Sequence, residues 1–547
     1  MSSGSFIANV TASSEGYESA TIRLTIVIPP LGSVLTDWRR ADVKLDNTPI
    51  FYDSKKNRVY FSIGAGFSSP SSFIAEVTYN SIEGYEIGID RNEPVPSGAQ
   101  VEFENLTYDS VHKMQLYKNS RRIEEVEIIF SNLPVVNIDA RKIVDEPDEP
   151  GVFQLSSYEF AEIGVPANMG IEFRGSSSQA FTKKQYGLDF TDLPISPPGQ
   201  ASKQNQQFLD LRSDDDWILD ASFRDTTFVR NLINHSIWND LRGYAYIDSN
   251  GDEKGQASIR GYLTELILND EYRGVYVLNE EVDRKLLDLK EVDVPIDDQG
   301  VQQWSLVDFT KPENGSVLYK PVTNFATFYR AQPNEVMRDF EVEYPDYAHY
   351  DPLQKFIEFV VNSSDAEFAA GIEDWIHLDN LVDFWLLAVV GSSADTLKKN
   401  YFVYKSGGGK FYFMPWDWDA SYAMWWTGDF RSSLVNWWAD DKNLLFYRLL
   451  TNPLTGFNAL LAQRWEELRF GLLSIDSIVS RFEQYNLQVV PNPANKDSGP
   501  YARNKTRWGD SGGEGLDHPE LREIDFLRNW LVQRHQVVTQ RIEDLEK

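Results

Sequence analysis

The hydrophobic period of the chain changes along its length, and this change constrains the fold most. Up to about residue 290, apolar and polar residues mostly alternate in short runs such as Thr21–Ile28 and Tyr262–Leu268. From about residue 350, apolar residues recur with helical spacing, as in Leu353–Val361 and Leu378–Val390. Period-two runs indicate strands, and a period near 3.6 indicates helices. The sequence therefore predicts an α+β chain with a strand-rich and a helix-rich lobe.

Gly, Pro, Asn and Ser clusters separate the strand-like runs of residues 1–132, which predict one or more β-sandwich modules of the immunoglobulin-like kind. A second domain is expected over 133–547, with its strand-rich lobe at about 133–290 and its helix-rich lobe at about 300–547. Within it, the sequence predicts a hairpin of Met169–Arg174 and Tyr186–Phe190, and a helix from about Thr226 to Leu241. Further helices are expected over 460–473 and 518–545, and an exposed loop over 491–515.

Composition excludes several functions. The 547 residues carry a net charge of −31, so nucleic acid and anionic membranes are disfavoured partners. ATP would be repelled as well, unless Lys and Arg are concentrated locally. The chain has no Cys, and its 6 His show no metal-ligand spacing. No run approaches the roughly 20 apolar residues of a membrane span. The N-terminal residues Met1–Phe6 lack the features of a signal peptide.

A Gly/Ser turn followed by two lysines is the first candidate site. Arg174-Gly-Ser176-Ser177-Ser is followed by Phe181-Thr-Lys183-Lys184, and backbone N–H groups at such a turn can bind phosphate. Lys183 or Lys184 would add positive charge, which is unusual in so acidic a chain. A hairpin turn with two solvated lysines is the alternative.

Two further segments have a structural alternative. Asp225 precedes Thr226 and Thr227 and is typical of a helix N-cap, and Arg230, one turn on, would pair with a carboxylate or reach a phosphate. The run Asp248-Ser-Asn-Gly-Asp252 begins like a calcium loop, but Ile259 stands where the closing Glu should be, so a tight turn is expected there.

Carboxylates on the predicted hairpin before residue 283 form another group. Glu280, Glu281 and Asp283 lie at a strand end, where carboxylates are commonly solvated, and solvation is expected for Glu281 and Asp283. Glu265 lies inside an apolar strand and needs a partner there, and a lysine such as Lys183 would suit.

The most informative passage is Asp395-Thr-Leu-Lys-Lys-Asn400, followed by a hydrophobic hairpin that ends in Pro415-Trp-Asp417-Trp-Asp419. Protein kinases use an Asp, an Asn five residues later and a second Asp after a hairpin. If the strand continued, Asp417 and Asp419 would lie on one face, where two carboxylates favour a divalent cation. Oxygen ligands favour Mg²⁺ or Mn²⁺ over zinc. Turn carboxylates that cap the next segment are the alternative.

Together these segments resemble the CotH (spore coat protein H) kinase family, whose motifs match five segments in order from about residue 134 onward. The matching segments are Arg174–Tyr186, Trp217–Asn231, Glu265–Tyr276, Asp395–Lys405 and Pro415–Asp419. Thr182 replaces a usual Pro, and Asp270 replaces a turn Gly. Neither change removes a group that the chemistry needs.

The resemblance implies an atypical protein-kinase-like fold that binds ATP with magnesium and phosphorylates secreted or surface proteins. By the same resemblance, Lys183 would contact the nucleotide phosphates, Asp395 would be the catalytic Asp, and Asp417 would bind the metal. Asn400 and Asp419 would assist at the metal.

The remaining candidates for the nucleotide site are Arg174, Ser176, Ser177, Arg230, Glu265 and Glu280. The expected activity is ATP- and Mg²⁺-dependent transfer of phosphate to Ser or Thr of an extracytoplasmic protein. AMP transfer and an inert surface protein are the alternatives, and the acceptor protein and oligomeric state stay open.

Overall fold

The structure is a computed structural model. It describes residues 36–64, 66, 71–90, 93–107, 110–160, 166–194, 202–322, 336–393, 396–429, 431, 435–436, 438, 443–492, 494–495, 498–509 and 523–547, together with the backbone of strands Gly4–Ala12 and Ala20–Ile28. The chain divides into two compact units. The first comprises residues 1–223, 261–280 and 485–515, and the second comprises 224–260, 281–484 and 516–547.

The N-terminal part of the first unit contains two β-sheets that share one hydrophobic core. The five-stranded sheet has the strand order Phe51–Asp53, Arg58–Ser62, Arg121–Ser131, His112–Lys118, Tyr85–Ile89. The four-stranded sheet has the order Thr48–Pro49, Lys44–Leu45, Ser71–Thr78, Ala99–Leu106. Side chains of both sheets, including Phe61 and Phe103, are buried in the shared core. The short helix Asp37–Ala41 precedes the sheets.

A closed barrel follows in the first unit. Its strands, in spatial order, are Val135–Ala140, Glu149–Ser156, Ala167–Arg174, Gln185–Thr191, Asp216–Asp220, Tyr272–Glu280 and Gly261–Leu268. The first and last of these pair in parallel and close the barrel. The predicted hairpin is confirmed, because Met169 lies opposite Phe190 and Phe173 opposite Tyr186. Short pairs Gln206–Gln207 and Ser213–Asp214 lie before the fifth barrel strand.

Alternation along the barrel strands separates its two faces. Val136 and Ile138 belong to the barrel core, and the intervening Asn137 faces the other way. On the neighbouring strand, Phe153 and Leu155 are in the same core, with Gln154 between them. The outer face of these two strands is mixed, because Val135 packs with Phe51 and Tyr60 there beside the polar Asn137 and Gln154.

The second unit combines a four-stranded antiparallel sheet with most of the helices. The sheet order is Phe340–Tyr344, Val317–Pro321, Tyr401–Lys405, Tyr412–Pro415, and a two-residue pair joins Tyr246–Ile247 to Glu253–Lys254. The helices are Arg230–Arg242, Val336–Asp339, Asp351–Asn362, Asp365–Trp375, Leu378–Gly391, Leu444–Thr451, Phe457–Leu468, Ile475–Val489 (whose residues from Tyr485 belong to the first unit) and Ile524–Leu545. None of the helices in the described part of the chain combines the length and hydrophobicity needed to cross a lipid bilayer.

Two predicted elements need correction. The helix expected from Thr226 begins at Arg230, because Phe228 has a φ of +65° and interrupts helical geometry before it. The exposed loop expected over 491–515 is wrong for residues 499–508, which form helix Gly499–Trp508 in the first unit. Pro500 in its first turn favours helix entry, and Tyr501 and Asn504 are buried. Residues 510–515 lie outside the described residues.

The chain is therefore a mixed α+β protein, as its hydrophobic pattern predicts. The turn expected at Asp248–Asp252 is also present, with the Asp248 carboxylate accepting hydrogen bonds from the N–H groups of Asn250 and Asp252. The predicted domain boundaries, and the kinase-like and immunoglobulin-like assignments, stay predictions.

Candidate functional site

The segment around Asp417 in the second unit has an unusual backbone. Strand Tyr412–Pro415 ends two residues before Asp417, whose φ is +58°. A non-glycine residue in this left-handed region costs of order 1 kcal/mol or more and persists only where its surroundings hold it. The Asp417 side chain is exposed, and Trp418 next to it is buried. A left-handed turn, which Asp adopts more readily than most residues, thus presents a carboxylate to solvent.

Three asparagine side chains hold this backbone in place. Asn400 donates from Nδ2 to the carbonyl oxygen of Asp417 at 2.9 Å. The Oδ1 atom of Asn231 accepts from the N–H of Trp418 at 2.9 Å, and Nδ2 of Asn234 donates to the carbonyl oxygen of Trp418 at 3.0 Å. The carbonyl oxygen of Asn400 also accepts from the Trp418 indole at 2.7 Å. Each peptide group around Trp418 is therefore fixed by a separate side chain.

The donor set suits a hard divalent cation. Among the described residues, Asn400 Oδ1 has no hydrogen-bond partner, while Nδ2 of the same amide donates to the carbonyl oxygen of Asp417. An exposed carboxylate at Asp417 and an amide oxygen at Asn400 are ligand types that Mg²⁺ and Mn²⁺ accept. The donor types of Asp417 and Asn400 are therefore compatible with the predicted cation, and the metal site itself stays a prediction.

Two predicted residues of this region need separate mention. The expectation that Asp419 continues the strand and shares a face with Asp417 is wrong, since the strand ends at Pro415 and the left-handed turn at Asp417 breaks the alternation. Asp419 itself is half-buried. Asp395 lies outside the described residues, and the preceding helix ends at Gly391, as predicted.

Arg230 is a wholly buried residue whose contacts are with protein groups. Its Nη1 donates to Asp225 at 2.5 Å and its Nε to the carbonyl oxygen of Ser421 at 3.1 Å. The Asp225 carboxylate also accepts from the N–H of Thr227 at 2.9 Å and from the N–H of Arg230 at 2.8 Å. The predicted N-cap at Asp225 is wrong, because the N-cap position is Val229 and makes no side-chain capping bond. The Asp225 carboxylate nevertheless accepts from the N–H of the first helical residue, Arg230, from a position five residues earlier.

Lys183 is buried in the wall of the barrel in the first unit. Its side chain is 1% exposed, and Nζ donates to the carbonyl oxygens of Ala221, at 2.7 Å, and Val275. Nζ also lies 4.5 Å from the centre of the Tyr276 ring. Burial lowers the pKa of Lys183 to about 7, although the nearby negative charge of Asp220 acts in the opposite direction. Perturbed lysines of this kind concentrate at functional sites.

The turn that precedes Lys183 is polar and exposed. Gly175 has a φ of +99°, and Ser176 and Ser177 are exposed after Arg174, which is half-buried. Lys184 donates from Nζ to the carbonyl oxygen of Gln179 within the turn. The two lysines therefore differ in environment, with Lys183 inside the barrel wall and Lys184 on the turn.

The expected pairing of Glu265 with a lysine is wrong. Arg503 binds both carboxylate oxygens of Glu265, from Nε at 2.9 Å and from Nη2 at 2.7 Å, and the Tyr272 hydroxyl donates at 2.5 Å. Burial raises the pKa of Glu265, but the charge and hydrogen bonds of Arg503 outweigh it, and the net pKa is lowered. Arg503 takes the place expected for Lys183 because helix Gly499–Trp508 packs on the barrel strand Tyr272–Glu280.

Glu280, the remaining candidate, is 1% exposed and accepts from the N–H of Arg212 at 2.9 Å. Sequence reasoning missed Arg503, Asn231 and Asn234 as site-supporting residues. One available signal was the basic run Arg503, Lys505 and Arg507 in a chain of net charge −31.

A separate acidic group occurs in the first unit. Ligand oxygens of Asp214, Asp215 and Asp216 lie within 4.8 Å of one another. Lys203 pairs with Asp215 at 2.7 Å and with Asp216 at 3.2 Å, and Arg212 pairs with Asp214. The cationic charge that draws these carboxylates together is therefore supplied by the protein.

Comparison with sequence models of known families shows which family the chain belongs to. The structure shows a mixed α+β protein, and the five sequence motifs lie in it in the expected order. The sequence model described as CotH kinase protein matches residues 171–538, more than half of the chain. The chain belongs to the CotH kinase family, which confirms the expectation from its five motifs. A comparison with curated proteins found no match.

Proposed function

We propose that this chain is an ATP- and Mg²⁺-dependent protein kinase that phosphorylates Ser or Thr of a secreted or surface protein. The observation that carries the proposal is the asparagine-held segment at Asp417, in a chain of the CotH kinase family. An exposed carboxylate whose backbone is fixed by neighbouring side chains is suited to hold a ligand in a defined position. Mn²⁺ is an alternative cation, because the same oxygen donors suit it.

Each candidate residue then has a role. Lys183 and Arg174 would bind the nucleotide phosphates, with the hydroxyls and N–H groups of Ser176 and Ser177. Asp417 would hold the metal, and Asn400 and Asp419 would assist. Arg230, Glu265 and Glu280 are 0%, 0% and 1% exposed, and they act as positioning residues in this proposal.

The reaction moves one phosphoryl group. The acceptor hydroxyl oxygen forms a bond to the γ-phosphorus of ATP while the bond between that phosphorus and the β–γ bridging oxygen breaks, and ADP leaves. Asp395 orients the hydroxyl and takes its proton. When bound, the divalent cation neutralises phosphate charge, and positioning supplies most of the remaining rate enhancement.

Three wider expectations belong to the same proposal. The chain would have a two-lobed kinase-like fold, and its N-terminal sheets would form an immunoglobulin-like module, for which the shared core of the two sheets is the support. The protein would act outside the cytoplasm. Its net charge of −31 supports a protein acceptor over nucleic acid.

The test is the intact mass of products after incubation of the full chain with ATP and Mg²⁺. Dephosphorylated casein serves as the probe acceptor, and the chain itself is a second one. We expect a mass gain of whole phosphate groups in the parent and roughly a hundredfold less in Asp395→Asn. The exposed Asp374→Asn is the matched control and should behave as the parent.

Two outcomes would replace the proposal. A mass gain of AMP would show that the same site transfers the nucleotide. If no product forms and calorimetry detects no binding of Mg²⁺–ATP, the chain is an inert surface protein.

A further inference from the structure

A cavity of about 480 Å³ lies in the first unit, between the N-terminal sheets and the outer face of the barrel. We call it the junction cavity. Its lining includes Trp38, Arg39, Tyr52, Asn137, Gln154 and Asp270. Its volume falls within the range of roughly 300–1,000 Å³ that small-molecule sites occupy. No role in phosphoryl transfer is assigned to any of these residues.

One end of the junction cavity is fixed by a charge network. Arg39 donates from Nε to Asp270 at 2.6 Å, and its two terminal nitrogens donate to the two carboxylate oxygens of Asp139. The carbonyl oxygen of Asp270 accepts from the N–H of Ser54 at 2.9 Å. Asp270 therefore joins a barrel hairpin to the N-terminal region through both its carboxylate and its carbonyl oxygen.

The charged groups of the junction cavity already have partners. Lys44 lies 3.3 Å from Asp42, and Arg39 uses all three of its nitrogens on Asp139 and Asp270. The charged side chains of the lining are two positive, Arg39 and Lys44, and three negative, Asp42, Asp139 and Asp270. An anion would meet a net negative wall, and a cation would compete with Arg39. The charge pattern favours an uncharged ligand.

Two amide side chains of the lining, Asn137 and Gln154, have no hydrogen-bond partner among the residues that the structure describes. Asn137 and Gln154 lie directly opposite each other on neighbouring strands and share the outer face of the barrel. Neither amide group is hydrogen-bonded to any other residue in the described part of the chain, although Asn137 is only 6% exposed. The mostly buried Asn137 and the half-buried Gln154 therefore present both donors and acceptors to a molecule in the cavity.

We propose that the junction cavity binds an uncharged, hydroxyl-rich ring, namely one or two sugar units of a saccharide. Hydroxyl groups both donate and accept, which matches the two amides. The C–H face of such a ring packs against aromatic side chains. The lining offers the half-buried Tyr52 and the more deeply buried Trp38, whose ring centroids lie 6.2 Å apart. The carboxylates of Asp139 and Asp270 offer additional acceptors.

The test is saturation-transfer NMR on the full chain without ATP. The probes are glucose, galactose, mannose and N-acetylglucosamine, with N-acetylglycinamide as an uncharged peptide mimic. We expect saturation transfer to at least one sugar, and about fivefold weaker binding in Gln154→Met and Asn137→Leu, because each loses a hydrogen bond. The exposed Gln100→Met, in the same unit, is the matched control and should bind as the parent.

Gln154 is half-buried, so its substitution decides the question even if the change at Asn137 prevents folding. Circular dichroism establishes that each variant is folded. Three results would overturn the proposal: no sugar binds, Gln154→Met binds as tightly as the parent, or only the peptide mimic binds.

Discussion

Removal of the Arg503 guanidinium should destabilise the first unit strongly. In Arg503→Met the carboxylate of Glu265, which is 0% exposed, loses both hydrogen bonds from Arg503 and its only charged hydrogen-bonding partner in the described structure. Breaking a buried ion pair on one side costs about 3–5 kcal/mol, because the other charge stays buried. The Tyr272 hydroxyl remains and offsets a small part of that cost.

Hydrogen–deuterium exchange of strand Gly261–Leu268 measures this loss within one unit. At about 1.4 kcal/mol per factor of ten, protection of this strand should fall at pH 7 by roughly a hundredfold to several thousandfold. The double variant Glu265→Gln, Arg503→Met should regain much of it, because it leaves no unpaired charge. Arg507→Met is the matched control on the same helix. Arg507 Nη2 lies 2.9 Å from Glu271 Oε1, and both side chains are partly exposed. The expected loss of unfolding free energy is therefore at most about 1 kcal/mol.

The pH dependence gives the same experiment a second readout. The folded-state pKa of Glu265 lies below its usual value, so the stability from ionised Glu265 is present above the unfolded-state pKa and is lost as pH falls through the folded-state pKa. In Arg503→Met, burial is no longer opposed by Arg503 and raises the pKa of Glu265. Glu265 can then become protonated, and so uncharged, as the pH falls from 7 to about 5, and the destabilisation should shrink over this range. Unchanged protection at pH 7, or a loss that is independent of pH, would refute the reasoning.

Three other predictions concern single residues. Because the pKa of Lys183 is about 7, kcat/KM for ATP should fall as pH rises through about 7 if the ammonium binds phosphate. In Lys183→Arg, kcat/KM should no longer fall above pH 7, and the same pH profile in both proteins would argue against phosphate binding by Lys183. Asn231→Ala removes the hydrogen bond to Trp418 N–H and should raise the Mg²⁺ requirement roughly tenfold at unchanged KM for ATP; an unchanged Mg²⁺ titration would contradict it. Asp270→Gly removes a partner of Arg39 and should lower unfolding free energy by about 1–2 kcal/mol in urea; an unchanged midpoint would exclude the network.

The sequence was informative wherever a local pattern decided the structure. The hairpin of Met169–Arg174 with Gln185–Thr191 and helix Leu378–Gly391 follow from hydrophobic period and turn residues alone. The N-cap predicted at Asp225 was wrong, because the positive φ of Phe228, which its residue type does not indicate, delays the helix start and leaves Val229 at the N-cap.

Partners far apart in the chain were beyond such reasoning. Glu265 was recognised as a buried carboxylate that needs a cation, but Arg503 lies 238 positions later in a stretch rich in Pro, Gly and Asn. That composition indicates a loop, and tertiary packing on the barrel overrides it. For the same reason, Asn231 and Asn234 could not be assigned to the backbone at Trp418, because helix Arg230–Arg242 lies far from it in the sequence, whereas the nearby Asn400 was predicted.

The most direct test of the account is the rate of phosphate transfer from γ-labelled ATP in Asp417→Asn. The substitution keeps the left-handed backbone, which asparagine also tolerates, and removes the charge that would hold the metal. We predict a rate at least about a hundredfold below that of the parent at saturating Mg²⁺, with unfolding unchanged. A variant that transfers the label as fast as the parent would contradict the central claim that Asp417 supports phosphoryl transfer.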